Sequence, residues 1–152
     1  MLPEVARRGG AFIGLNPIHA LYPASPESAS PYSPSSRRWL NIIYIDVNAE
    51  EDFTDNSQAQ AWWRQPQTQS RIHAAREALW VDYSEVMALK ITALRMAWQQ
   101  FTLRHHHDER VAAFQRFIAE GGESLWHQAV YDVAHRQHQT QGNARCGWET
   151  WP

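Results

Sequence analysis

The chain has 152 residues, 43% of them hydrophobic and 20% charged, which suits one ordinary domain with a modest core and excludes wholesale disorder. Its formal net charge is −2 with no basic block, so the positive footprint of a nucleic-acid binder is missing. A single cysteine, Cys146, excludes an internal disulfide and fits a reducing compartment.

The first residues, MLPEVARRGGAFIGL, hold an early proline and acid and then Arg7 and Arg8, so they lack the apolar core of a signal peptide. No run approaches the roughly 20 apolar residues of a membrane helix. These features predict a soluble, cytoplasmic protein that engages neither nucleic acid nor membrane. Residues 2–8 read as the end of a helix. AFIGL (11–15), after the Gly9-Gly10 break, reads as a short buried strand. Residues 16–36 carry five prolines, which predicts a long loop of restricted backbone. Long loops in compact domains are usually functional or disordered, and this proline density favours a shaped one. WLNIIYIDV (39–47), β-branched, aromatic and apolar, predicts an extended segment.

After Asn48 the pattern turns helical. EEDF is one turn, NSQAQAWWRQ a short helix closed by Pro66, and TQSRIHAAREALW another. Residues 83–102 give the clearest helix. Asp82 is a candidate N-cap, and Glu85 stands at capping-box spacing from it. Tyr83, Met87, Ile91, Leu94, Trp98 and Phe101 then form one apolar stripe. HHHDE breaks this helix, and Asp108 caps the next, with Val111, Phe114, Phe117 and Ile118 predicted inward. Gly121-Gly122 ends that helix. A last one, about 123–138, is predicted to bury Leu125, Trp126, Ala129, Val130 and Val133. One or two strands therefore precede about five helices. A lone short strand is not a stable sheet, and AFIGL lacks the parallel neighbours it needs, which points to a piece of something larger.

Three adjacent histidines, His105 to His107, invite a metal reading. Successive helical residues diverge by about 100°, however, and no ligand-spaced cysteine or carboxylate pair accompanies them, so a solvated connection is favoured. His135 and His138, at i, i+3, read as a surface pair near a helix C-terminus rather than metal ligands. Arg37 and Arg38 read as loop anchors. The acids fall on polar helix faces or at caps, apart from Asp46 at the end of an apolar run, and no pair is placed for acid/base work. Most of the eight tryptophans are predicted core or helix-contact residues, and their number alone assigns a sugar to none. The loop presents Asn16, His19, Tyr22, Ser30 and Tyr32. An amide, hydroxyls and a ring on a stiff backbone suit a neutral polyhydroxy ligand, although a structural loop with packed tyrosines is the plainer reading of the residue types.

FIGLNPIHALYPASPESASPYSPSSRRWLNIIYIDV resembles the 4-α-glucanotransferases known as amylomaltase or disproportionating enzyme, most nearly their enterobacterial maltose-system branch. WVDYSEVMALKITALRMAWQQF resembles the family's "VDY" helix, and GWETWP the segment that ends its helical insertion. The resemblance implies an α/β parent, a (β/α)8 barrel of the α-amylase type, of which this chain is a mostly helical internal fragment. Residues 1–47 would supply the second barrel strand and a loop bordering the active site, and residues 48–152 the helical insertion. It implies transfer of α-1,4-glucan segments between maltodextrins through a covalent glycosyl-aspartate. It implies no metal or organic cofactor, with maltooligosaccharides and the rest of the barrel as partners. In the family's "SPY" motif the serine and tyrosine line the sugar site; they fall on Ser30 and Tyr32, with Asn16 and His19 in the matching strand-exit segment. The loop departs from the family's shorter glycine-rich form. The "RIDH", "GED" and "THD"-type motifs that carry the catalytic carboxylates do not occur in these residues, so the chain is expected to hold no catalytic residue. The alternative is a non-catalytic helical module that binds sugar or protein.

Overall fold

The computed structural model describes residues 2–140. Helix α1 (Leu2–Arg7) leads into an irregular segment. Strands β1 (His19–Ala20) and β2 (Ser36–Leu40) pair antiparallel, and a bulge between His19 and Ala20 moves the register from Leu40 to Ser36. Two 3₁₀ turns (Ile42–Tyr44 and Val47–Ala49) then introduce α2 (Glu51–Thr54), α3 (Ser57–Arg64), α4 (Pro66–Glu77), α5 (Tyr83–Phe101) and α6 (Glu109–Thr140).

Two sequence expectations fail in the first third. AFIGL forms no strand; Phe12 is 86% and Leu15 66% exposed. An extended run without a ladder partner has its backbone bonds unmet, and the described chain supplies none. WLNIIYIDV is extended only through Leu40. Beyond it the side chains of Asn41 and Asp46 accept hydrogen bonds from the backbone N–H groups of Ile43 and Asn48. These local bonds compete with a strand and fold the run into the two 3₁₀ turns.

The core is small. Phe53 is fully buried, and Val47, Ala59, Ala93 and Ala97 surround it, with Trp62, Trp63, Leu94 and Met96 at its edge. The Phe53 ring meets both Trp62 (6.5 Å) and Trp63 (5.8 Å) edge-on, an arrangement that ring quadrupoles favour. Ala93 and Ala97, four apart on α5, let α2 lie close against that helix. The buried face of α5 is thus Met87, Ala93 and Ala97. The predicted stripe meets this face only in part: Met87 is buried and Leu94 packs at the core's edge, whereas Trp98 is half-exposed and stacks on Phe101 (5.4 Å) beside Phe114 of α6.

Caps and ion pairs set the joints. Asn56 caps α3, accepting from Gln58 and Ala59 and donating to the Met96 carbonyl of α5 at 2.9 Å. Pro66 closes α3 and is also the first residue of α4, where its missing N–H is harmless. Asp82 caps α5 through the Glu85 N–H at 2.9 Å. The Glu85 carboxylate does not complete a capping box. It receives both arms of Arg71 from α4, at 2.6 and 2.9 Å, and that hydrogen bonding holds its pKa below the usual range. Asp52, expected on a polar face, is buried and bonded to Arg104 (2.6 Å) and Arg110 (3.2 Å). Arg104 also reaches Asp108, which caps α6.

Helix α6 breaks at Gly122, whose backbone lies at φ 53° and ψ −145°, as the Gly-Gly pair predicts. Of its apolar residues, Val111, Phe114 and Leu125 are half-buried, with Phe114 against Trp98 and Phe101, but most of the others do not face inward as expected. Phe117 and Ile118 are each 48% exposed, Trp126 68%, Val130 46% and Val133 68%. The face turned to the loop is polar instead. Gln139 donates to Ser25 (2.6 Å), His135 packs edge-on against Tyr22 (5.7 Å), and Gln128 lies between Asp132 (3.0 Å) and Ser35 (3.5 Å). A proline- and serine-rich loop offers hydroxyls and carbonyls rather than apolar surface, so only polar side chains can satisfy it. Burial raises the Asp132 carboxyl to about 6, against the opposing hydrogen bond from Gln128.

Three outcomes follow. Phe53→Ala should destabilise the fold by about 3–5 kcal/mol in urea denaturation, the usual cost of an aromatic cavity. Asn56→Ala should cost about 1–2 kcal/mol, from the lost cap and the lost bond to the Met96 carbonyl of α5. Asp132 is raised from 3.8 to about 6 on folding, so its protonated form stabilises the fold below about pH 4 and that stability is lost as pH rises through about 6. Asp132→Asn should therefore raise the melting temperature at about pH 8 and leave it unchanged near pH 4; equal shifts at both pH values would rule this account out.

Candidate functional site

The loop between β1 and β2 displays Tyr32 with 68% of its surface exposed. Turns at 22–25, 25–28 and 30–33 shape it, each closed by a backbone bond of 2.9–3.1 Å. The ring stands between Pro31 and Pro34, whose fixed φ limits how the backbone can carry it away. Its hydroxyl donates to Asn16 Oδ1 at 3.0 Å, across sixteen residues of sequence. Ser35 fastens the base of the loop, its hydroxyl donating to the carbonyls of Leu21 (2.6 Å) and Ala20 (3.1 Å).

Of the four residues singled out from sequence, the fold joins Asn16 and Tyr32 directly. Ser30 is exposed in the same turn as Tyr32, its carbonyl accepting from the Ser33 N–H at 3.1 Å. His19 sits half-buried in β1 opposite Leu40, with no side-chain bond to the other three among the described residues. Tyr22 faces the other way, against His135. The site can therefore offer a flat ring, a fixed amide whose N–H2 group remains to donate, and two exposed hydroxyl-bearing turns. That set suits hydrogen bonding and stacking with a neutral polyhydroxy compound.

Among the described residues no proton-transfer pair stands beside it. The one tight carboxylate group among the described residues, Glu50, Glu51, Asp52 and Asp108, is neutralised by Arg104 and Arg110 and holds helices together. Lys90 donates to the Ile45 carbonyl, and burial lowers its pKa against the pull of Asp46. His106 and His107 have ring centroids 3.9 Å apart in an exposed turn, and no group of three or more ligand-type residues converges among the described residues. His135 is not a surface residue as expected; it is half-buried between Tyr22 and Tyr131, the latter stacked at 5.8 Å. Trp39 contacts Phe117, whereas Trp80 is 82% exposed. Cys146, Trp148, Trp151 and the GWETWP segment lie outside the described residues. No described helix is long and apolar enough to cross a membrane.

Sequence reasoning missed the Arg104 hub and the polar inner face of α6. The first had a weak signal in the i, i+4 pair Arg104 and Asp108. The second had one in Gln128, Asp132, His135 and Gln139, which recur at steps of three and four.

The family model for 4-alpha-glucanotransferase matches residues 1–152. A 4-alpha-glucanotransferase of Haemophilus influenzae is 36% identical over 157 residues, an alignment covering 99% of this chain and 22% of the relative. The chain thus spans about a fifth of the length of that curated relative. On the match over its whole length, the chain belongs to the 4-alpha-glucanotransferase family of glycoside hydrolases.

Proposed function

We propose that these residues are a segment of an enzyme that transfers α-1,4-glucan units between maltodextrins, in a cytoplasmic setting. Residues 1–47 contribute to a (β/α)8 barrel and the rim of its sugar cleft, and residues 48–152 form a helical insertion beside it. The observation that carries this reading is the Asn16 to Tyr32 bond, which fixes an exposed ring over the loop that bears the family's "SPY" residues. The exposure of Phe12 and Leu15 supports it, since neighbouring parallel strands would cover such side chains. In the complete enzyme Tyr32 stacks on a glucose face, while Ser30, Asn16 and His19 bond its hydroxyls. The ring is positioned before the sugar arrives, so little ordering cost falls on binding.

The chemistry itself needs a carboxylate nucleophile and a carboxylic acid/base flanking the scissile bond. Among the described residues Asp46, Asp82 and Asp108 serve as caps and Glu50, Glu51, Asp52 and Glu85 as ion-pair partners, and the family's carboxylate motifs are not in the sequence. Incubation of the chain with maltotriose is accordingly expected to yield neither glucose nor longer dextrins. Robust transfer by the pure chain would refute the assignment of catalysis to residues elsewhere. In a full-length enzyme carrying this segment, Tyr32→Ala should lower kcat/KM by about tenfold or more, the worth of one stacked and bonded ring. Unchanged kinetics would remove Tyr32 from the site.

A further inference from the structure

The part of α6 beyond the Gly122 break grips the loop between the strands at a buried residue. Ser25 is 6% exposed, whereas the other described residues up to Leu40 are half-buried or exposed. The cover over it is polar. Gln139 Nε2 donates to Ser25 Oγ at 2.6 Å and lies 3.3 Å from His135 Nε2. His135 packs edge-on against Tyr22 at 5.7 Å, and the Ser25 N–H donates to the Tyr22 carbonyl at 2.9 Å. The contacts close on themselves, running from turn to helix and back. We propose that Gln139 is a positioning residue for the sugar rim: held by His135, it fixes the turn at 22–25 and thereby where the Tyr32 ring stands. The sugar part rests on the reading of Tyr32 above; the hold on the loop rests on its own geometry.

The grip is built on a firm base. Gln139 and His135 are four apart on α6, so both turn the same way. The imidazole lies between two rings, with Tyr131 stacked on it at an interplanar angle of 10° and Tyr22 at its edge. A buried hydroxyl is costly to leave without a partner, which favours the Ser25 bond over a loosened loop. Gly122 sets the direction of the helix that carries the grip, in a backbone conformation that glycine alone takes readily. The loop then passes the constraint along. Pro26, Pro31 and Pro34 fix φ between Ser25 and the strand, and the turns at 25–28 and 30–33 are each closed by a backbone bond. A segment with so few free torsions transmits a displacement at Ser25 to Tyr32 rather than absorbing it. Tyr22 faces away from the rim, so the effect of Gln139 on a sugar there passes through the loop.

The test compares Ser25→Ala, Gln139→Leu and the double variant with Tyr32→Ala and Tyr32→Phe. Ser25→Ala removes one hydroxyl with little change in volume, so it decides the matter alone should Gln139→Leu fail to fold. In this chain, heteronuclear NMR of the Asn16 side-chain amide reports the bond from the Tyr32 hydroxyl. Both single variants should move those resonances toward their positions in Tyr32→Phe, which lacks the bond. In a full-length enzyme carrying this segment, each should lower kcat/KM for maltotriose by about threefold or more, the effect of slightly misplacing a contact group. The assays run well below the melting temperature, so lost stability alone does not enter. The double variant should lose no more than the worse single variant, and this cycle separates the Ser25 contact from every other that Gln139 makes. Asn16 resonances that stay at the parent's positions, or losses in kcat/KM that multiply in the double variant, overturn the proposal. So does parental kcat/KM in both single variants where Tyr32→Ala is impaired. If Tyr32→Ala is also kinetically silent, the sugar reading of the rim fails, while displaced Asn16 resonances still uphold the hold of Gln139 on the ring.

Discussion

The fold turns on two neighbouring residues of one short helix that bury in opposite chemical ways. Phe53 enters an aromatic box on one side of α2, and Asp52 is buried against Arg104 and Arg110 on the other. A four-residue helix has almost no stability of its own, so α2 exists because these two anchors hold it. The ring fixes α2 to α3 and α5. The carboxylate fixes it to the end of α5 and the start of α6, because an unpaired buried charge is far costlier than a paired one. Through this pair a modest apolar core positions three helices that would otherwise share little surface.

That arrangement explains which parts of the fold were legible in the sequence. Helices with local signals were readable: Asp82 and Asp108 mark their caps, and Gly121-Gly122 marks the break in α6. The EEDF turn was readable as a turn, but the burial of its aspartate was not, since Arg104 lies 52 residues away. The face of α5 was legible in part: Met87 and Leu94 of the predicted stripe do meet the core, but large apolar side chains define a stripe, whereas close helix contact selects the smallest. Ala93 and Ala97 bury while Trp98 stays half in solvent. The AFIGL run was misread for a different reason. Its composition fits a strand, but a strand is a property of a pair.

The candidate site was legible to a similar degree. Residue types and prolines identified a stiff loop with a displayed ring, and the family match now covers the whole chain. The partner of the ring was not legible. Asn16 and Tyr32 are linked by a bond that no periodicity announces, and His19, grouped with them by sequence, faces a strand pairing instead. Nor was the polar inner face of α6 anticipated. Apolar residues were assumed to define the buried side, yet a loop of hydroxyls and carbonyls packed against the helix imposes the opposite requirement.

That inverted helix is what makes the displayed ring possible. The loop between the strands is held at two places. At Tyr22 and Ser25 it meets His135 and Gln139 of α6; at Ser35 it is bonded to the Leu21 carbonyl and lies against Gln128. Between these clamps the chain has only its own turns and the bond from Tyr32 to Asn16 to set the ring's position. Loss of a clamp therefore frees the tip without touching the ring. Side chains on α6, far along the sequence from Tyr32, belong to the positioning of the rim as much as the prolines do.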